Sequence, residues 1–77
     1  MMEEKVIKIL SDVSGVPCDQ IGLDSRLLGN LGISSFDLAD TVVMVEAEYG
    51  IHIPDERFRE LETVADILRV LGEESAE

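Results

Sequence analysis

Leu31-Gly32-Ile33-Ser34-Ser35-Phe36-Asp37-Leu38 is the stretch on which the fold of this chain turns. Gly32 interrupts whatever precedes it. Ser34 then places a hydroxyl where a helix needs a side-chain acceptor for its first, unpaired N–H groups. Asp37, three residues on, is spaced to reach back to the Ser34 backbone, which makes a capping box. Leu38, Val42, Val45 and Tyr49 recur at steps of four, three and four, the apolar stripe of an amphipathic helix that Gly50 should stop. With Ser34 as the cap, Ser35 takes the first helical position, where the positive end of the helix dipole favours an anionic group such as a phosphate ester. The ordinary reading of a Ser-Ser pair at a helix start is a cap and nothing more, and these residues alone leave both readings open.

On the N-terminal side, residues from about Glu3 to Ser14 read as a first helix. Val6, Ile9, Leu10 and Val13 share one face, Glu3 and Glu4 sit in the first turn where the dipole favours them, and Gly15 supplies the stop. Val16-Pro17 forbids continuation. From Pro17 to Ile33 runs a long connection, with Ile21, Leu23, Leu27, Leu28 and Leu31 apolar enough to pin it as an ordered, wrapped loop. On the C-terminal side, Gly50-Ile51-His52-Ile53-Pro54-Asp55 reads as a turn anchored by its two isoleucines. Asp55 is placed to cap a short helical piece, Glu56 to Leu61, carrying Phe58 and Leu61. Thr63 and Asp66 repeat the capping-box spacing and open a last helix from Val64 to Leu71, with Val64, Ile67, Leu68 and Leu71 inward, Gly72 as the stop and Glu73 to Glu77 a frayed tail. No period-2 strand pattern with a partner occurs. The expectation is an all-α, small four-helix bundle: three main helices, a short one and a long first loop, as one domain over residues 1–77.

The totals bound the function. With 77 residues and a 45% apolar share, the chain is a globular domain near the lower limit at which a core alone holds a fold. One Tyr, two Phe and no Trp make that core aliphatic. Seventeen acids against six bases give a net charge of −11, which argues against nucleic acids and anionic membranes and for basic protein partners and a monomer. A single cysteine, Cys18, excludes an internal disulfide and suits a reducing, cytoplasmic setting. The longest unbroken apolar run is Val42 to Val45, far too short for a membrane span.

Little in the chain suits catalysis, and no catalytic residue is assigned. His52 reads as a solvated turn residue. Cys18 reads as a small half-buried side chain without a neighbour to activate it. The carboxylates do not follow the ligand spacing of a helix–loop–helix calcium site, and no metal site is assigned. Charge distribution says more. Between Arg26 and Arg57 there is no Lys or Arg, while Asp37, Asp40, Glu46, Glu48, Asp55 and Glu56 all occur. On a helical wheel Asp37, Asp40, Met44 and Glu48 share a strip roughly opposite the apolar stripe, with Glu46 flanking the apolar side. A solvated outer face is the plain explanation. The absence of compensating bases at i+4 favours a second one, a docking strip for a basic partner in which Met44 and Val43 add a small apolar contact.

Taken together, Leu31 to Asp37, the acidic helix to Tyr49 and Ile53-Pro54-Asp55-Glu56 resemble an acyl carrier protein, over nearly the whole chain and without a gap. The family's attachment motif is typically Asp-Ser-Leu, and here it reads Ser34-Ser35-Phe36. The resemblance implies that a phosphopantetheinyl transferase moves 4′-phosphopantetheine from coenzyme A onto the Ser35 hydroxyl. The thiol of that arm would hold acyl groups as thioesters for acyl-transfer, synthase or ligase enzymes of fatty-acid or specialised polyketide or lipid biosynthesis. It further implies that Asp37, Asp40, Met44, Glu46 and Glu48 meet basic docking patches on those partners. Ser34 in place of the usual Asp, Phe36 in place of Leu, and Ala47 where an acid is common depart from the pattern and loosen the link to any one pathway. Two rivals stand beside this: a carrier of aminoacyl or other non-fatty cargo, and an unmodified acidic interaction module.

Overall fold

The computed structural model describes residues 2–75 and contains three α-helices, α1 (Met2–Ser14), α2 (Ser35–Tyr49) and α3 (Val64–Ser75). Two 3-10 turns, Cys18–Gln20 and Asp55–Glu60, interrupt the connections, and among the described residues there is no strand beyond one isolated bridge between Arg26 and Thr63. The all-α bundle is therefore the fold, with a second short helical piece, Cys18–Gln20, inside the first loop.

The core follows the helical periods. Val6 and Leu10 of α1, Leu38, Val42 and Val45 of α2, and Val64, Ile67, Val70 and Leu71 of α3 are all buried, and α1 packs against both other helices. No aromatic ring is fully buried: Tyr49 and Phe58 only flank the aliphatic cluster. Thr41 is the one buried polar residue of α2, and its hydroxyl donates to the Asp37 carbonyl one turn back at 2.9 Å; among the described residues no buried side-chain polar atom is stranded. At the far end of α2 the Tyr49 hydroxyl donates to the Met2 carbonyl and Lys5 pairs with Glu48 at 3.0 Å, which ties the start of α1 down.

The long first loop is ordered by backbone hydrogen bonds to the start of α3. Leu27 N–H donates to Glu62 O at 2.9 Å, Val64 N–H to Ser25 O at 3.2 Å and Ala65 N–H to Leu23 O at 3.0 Å. Ile21, Leu27 and Leu31 go into the core as the sequence predicts, and Ile33 joins them. Leu23 and Leu28 do not: they are 42% and 53% exposed. The pairing with α3 sets which side of the loop faces inward, and Leu27 takes the inward place beside Leu28.

Three further boundaries differ from expectation. The short piece after Pro54 is a 3-10 turn from Asp55 to Glu60, and Pro54, not Asp55, stands at its cap position with no side-chain capping bond. Cys18 is exposed, because Ile21 is the residue of its segment that reaches the core. Finally α3 passes through Gly72 and ends at Ser75. Gly72 is not among the glycines with positive φ, so it makes no left-handed stop. Carboxylates at a helix C-terminus are disfavoured by the dipole, but here Arg57 neutralises them, pairing with Glu74 at 3.0 Å and with Glu73. Residues 76 and 77 of the expected tail lie outside the described residues.

Arg57 is the hub of this clasp. It also pairs with Glu60 at 2.8 Å, and Arg69 of α3 reaches Glu60, Asp66 and Glu73. Hydrogen bonds from Arg57 and Arg69 hold the Glu60 carboxyl down at about 2, against its ordinary value of 4.5. A carboxyl depressed by folding stabilises above its unfolded value and loses that contribution as pH falls toward its folded one. Arg57→Gln should therefore lower the melting temperature at pH 7, and the gap from wild type should close as pH drops from about 4.5 to about 2, read from thermal melts of helical circular dichroism. A gap independent of pH in that window would show that Arg57 acts through packing of its stem alone.

Candidate functional site

At the entry to α2, Gly32 turns the chain with φ of +67°, a conformation that side-chain-bearing residues rarely adopt. Ile33 is buried and its N–H donates to Leu27 O at 3.3 Å, so the loop delivers the next residues to a fixed place. Ser34 is extended at φ −84° and ψ 172°, and its Oγ accepts from Asp37 N–H at 3.1 Å. The Asp37 carboxylate accepts in return from Ser34 N–H at 3.2 Å. The capping box read from the sequence is present in full.

That arrangement separates the two serines. Ser34 spends its hydroxyl on the helix. Ser35, first residue of α2, is exposed, and its hydroxyl makes no hydrogen bond among the described residues. It stands where the unpaired N–H groups and the helix dipole concentrate positive potential. An exposed, unbonded hydroxyl at such a place suits a phosphodiester-linked group: one oxygen is available to be esterified, and the negative charge then introduced meets the helix N-terminus. Phe36 follows at 84% exposure, presenting a whole ring to solvent.

The residues of α2 expected to meet partners divide into different tasks. Asp40 and Met44 are exposed as expected. Asp37 is engaged in the cap, and Glu48 pairs with Lys5 while remaining 41% exposed. Glu46 turns away from them. Its Oε2 accepts from Ile53 N–H at 2.7 Å and lies 3.3 Å from His52 Nδ1, so it holds the turn after Gly50 onto α2. Its side chain is only 23% exposed. His52 is solvated, as read from the sequence, at 82% side-chain exposure.

Two features go beyond the sequence reading, which placed only Val43 and Met44 as apolar contacts beside the acidic strip. The face of α2 opposite the core is apolar as much as acidic: at about 100° per residue, Phe36, Val43 and Ala47 line up with Asp40 between them. All four are exposed, Val43 to 62%. The spacing 36, 40, 43, 47 was the available signal, hidden because an apolar residue on the outer face looks like a core residue out of register. The second feature is a cleft of about 260 Å³ lined by Arg26, Leu28, Gly29, Leu61 and Glu62. Its walls come from separate segments, so no local pattern marks it. Among the described residues no cluster of His, Cys, Asp and Glu could hold a metal ion, and no helix is long and apolar enough to cross a membrane.

Comparison with known proteins gives this geometry its class. Residues 4–71 match the family described as the phosphopantetheine attachment site. An acyl carrier protein of Rickettsia bellii is 33% identical over 72 residues, 94% of this chain and 84% of the relative. One of Akkermansia muciniphila is 36% identical over 67 residues, 87% of this chain and 84% of the relative. The chain belongs to the acyl carrier protein family. It is a carrier whose prosthetic group is a covalently attached 4′-phosphopantetheine.

The cap assignment is open to direct test. Ser34→Ala removes the acceptor for Asp37 N–H and should cost about 0.5–2 kcal/mol in urea unfolding. Ser35→Ala, which removes no hydrogen bond, should leave stability within about 0.5 kcal/mol of wild type. The opposite order of effects would reverse the roles of the two serines.

Proposed function

We propose that Ser35 is the residue that carries the arm, and that the protein presents acyl intermediates on it to enzymes of fatty-acid or specialised polyketide or lipid biosynthesis. One observation carries this assignment. Of the two adjacent serines, Ser34 is bound into the capping box and Ser35 has an exposed hydroxyl with no partner at the positive end of α2. When bound, the phosphopantetheine supplies a terminal thiol that holds acyl groups as thioesters. The chain itself supplies the anchor, the dipole that favours the phosphate, and a helix face for partners. Phosphopantetheinyl transferase is the partner that must meet Ser35 first. The unbridged Cys18 and the net charge of −11 fit a monomer working in a reducing cytoplasm.

Partner docking on α2 rests on Asp40, Met44 and Glu48, with Asp37 contributing its charge from within the cap. Glu46 acts differently from the others, as the residue that positions the 51–53 turn. Phe36 and Val43 join the surface as apolar contacts. Charges at the rim of such an interface steer encounter and fix register, while desolvated apolar groups supply more of the affinity.

Incubation with coenzyme A, magnesium and a broad-specificity transferase should add the mass of one phosphopantetheine to the intact protein, with fragmentation placing it on Ser35. Ser35→Ala should abolish the addition while the protein stays folded. Addition at Ser34, or undiminished addition to Ser35→Ala, would refute the assignment. Asp40→Lys should raise the apparent KM of the transferase several-fold at low salt with little change in kcat, since the Asp40 side chain makes no hydrogen bond or ion pair among the described residues and acts through charge alone. Unchanged kinetics would remove Asp40 from the docking surface.

A further inference from the structure

Exposed apolar side chains on a small protein are ordinarily scattered singly over its surface. Here they are gathered. Among the described residues the large ones left exposed are Met2, Leu23, Leu28, Phe36, Val43 and Met44, and three of these six lie on one face of α2. By contrast α3 exposes none, and α1 only Met2 at its first residue. At 100° per residue Phe36, Asp40, Val43 and Ala47 fall within about 60° of one another, a stripe about 16 Å long with Met44 at its edge. Phe36, Val43 and Met44 neither enter the buried cluster nor pack against it, so the fold makes no use of them.

The charges of the same helix decide what kind of surface fits that stripe. Of the four carboxylates on α2, three are engaged within the chain: Asp37 in the cap, Glu46 with the Ile53 N–H, and Glu48 with Lys5. Asp40 has neither hydrogen bond nor ion pair among the described residues, and it sits between Phe36 and Val43. A broad basic patch laid on this face would leave most of its cations desolvated and unpaired, which is costly. An apolar groove with a single cation fits it. A second copy of the chain does not, because each copy carries −11 and a two-fold contact on the stripe would bring the two Asp40 carboxylates together. Phe36 also adjoins Ser35, with Cα atoms about 3.8 Å apart, so an enzyme that reaches the Ser35 hydroxyl must cover the ring as well.

We propose that the phosphopantetheinyl transferase grips this carrier through an apolar groove that takes Phe36 as its anchor, with Val43 and Ala47 along its length and one lysine or arginine opposite Asp40. The inference deepens the proposed function and rests on Ser35 as the attachment residue. The desolvated ring supplies most of the affinity, which varies little with salt, and Asp40 fixes the register. Ala47, small and uncharged, lets the groove close on the helix at its far end.

Intact mass and fragmentation first establish modification at Ser35 by the broad-specificity transferase. The Kd of that transferase, with coenzyme A present, is then measured by calorimetry for the Ser35→Ala carrier, which keeps the stripe and cannot turn over. Raising sodium chloride from about 0.05 to about 0.5 M should weaken binding by no more than about fivefold, the most that one exposed ion pair contributes. Adding Phe36→Ala should weaken it at least about tenfold, with Phe36→Leu in between. Adding Ala47→Glu should weaken it too, because the new carboxylate meets an apolar wall. Helical circular dichroism should be the same for every variant, since none of these side chains packs on the core. A salt loss well beyond about fivefold, tighter binding of the Ala47→Glu carrier, or a Phe36→Ala effect below about twofold each overturns the proposal while leaving the attachment intact. Absence of modification at Ser35 overturns the attachment and this docking with it.

Discussion

The reciprocal hydrogen bonds between Ser34 and Asp37 are the constraint from which the rest follows. They decide the residue at which α2 begins, and therefore the rotation of every side chain along it. With Ser34 outside the helix and Ser35 first within it, Leu38, Thr41, Val42 and Val45 fall inward, and Ser35, Phe36, Asp40 and Val43 fall outward. A start displaced by one residue would turn the helix by about 100° and bury part of the outer face. The same box frees one hydroxyl by occupying its neighbour. A local capping device thus sets both the packing of the bundle and the chemistry at its edge.

A chain with 17 acids and six bases must also live with its own charge. Two of its arginines are concentrated in one clasp, where Arg57 and Arg69 gather Glu60, Asp66, Glu73 and Glu74 and bind the second 3-10 turn to α3. Lys5 and Glu48 tie the start of α1 to the end of α2. Glu46 is satisfied without a lysine or arginine, by the Ile53 N–H. The consequence for α2 is that its outer face is less purely electrostatic than its composition suggests. Asp40 carries the open charge, and a stripe of apolar side chains accompanies it. In an interface of this kind the charges would orient a partner and the apolar groups would hold it.

The first loop shows how a small domain makes a long connection serve a purpose. Its backbone pairs with the start of α3 at Leu23, Ser25 and Leu27, and its core residues are Ile21, Leu27, Leu31 and Ile33. These bonds leave Leu28 and the Arg26 side chain on the outside, over a cleft near the start of α2. Loops are where chemistry is commonly presented, provided the scaffold beneath them is rigid. Here the rigidity comes from backbone hydrogen bonds and not from regular structure.

By itself the sequence determined what depends on near neighbours. The three helices, both capping boxes, the stop at Gly50 and most of the inward faces rest on spacings of three and four residues, which the helix repeat makes readable. Family membership was legible for the same reason, since the attachment motif and the acidic helix are contiguous. The tertiary structure alone decided what depends on residues far apart in the chain. Arg57 carries α3 past Gly72 by reaching carboxylates that no local pattern pairs with it. Pairing with α3 chose Leu27 over Leu28 for the core, and the turn beyond Gly50 gave Glu46, on the flank of the apolar side, the Ile53 N–H as its partner. The cleft at Arg26 exists only because two separate segments meet. Helical periodicity and capping are properties of a short segment, whereas burial, ion pairing and cavities are properties of which segments end up side by side.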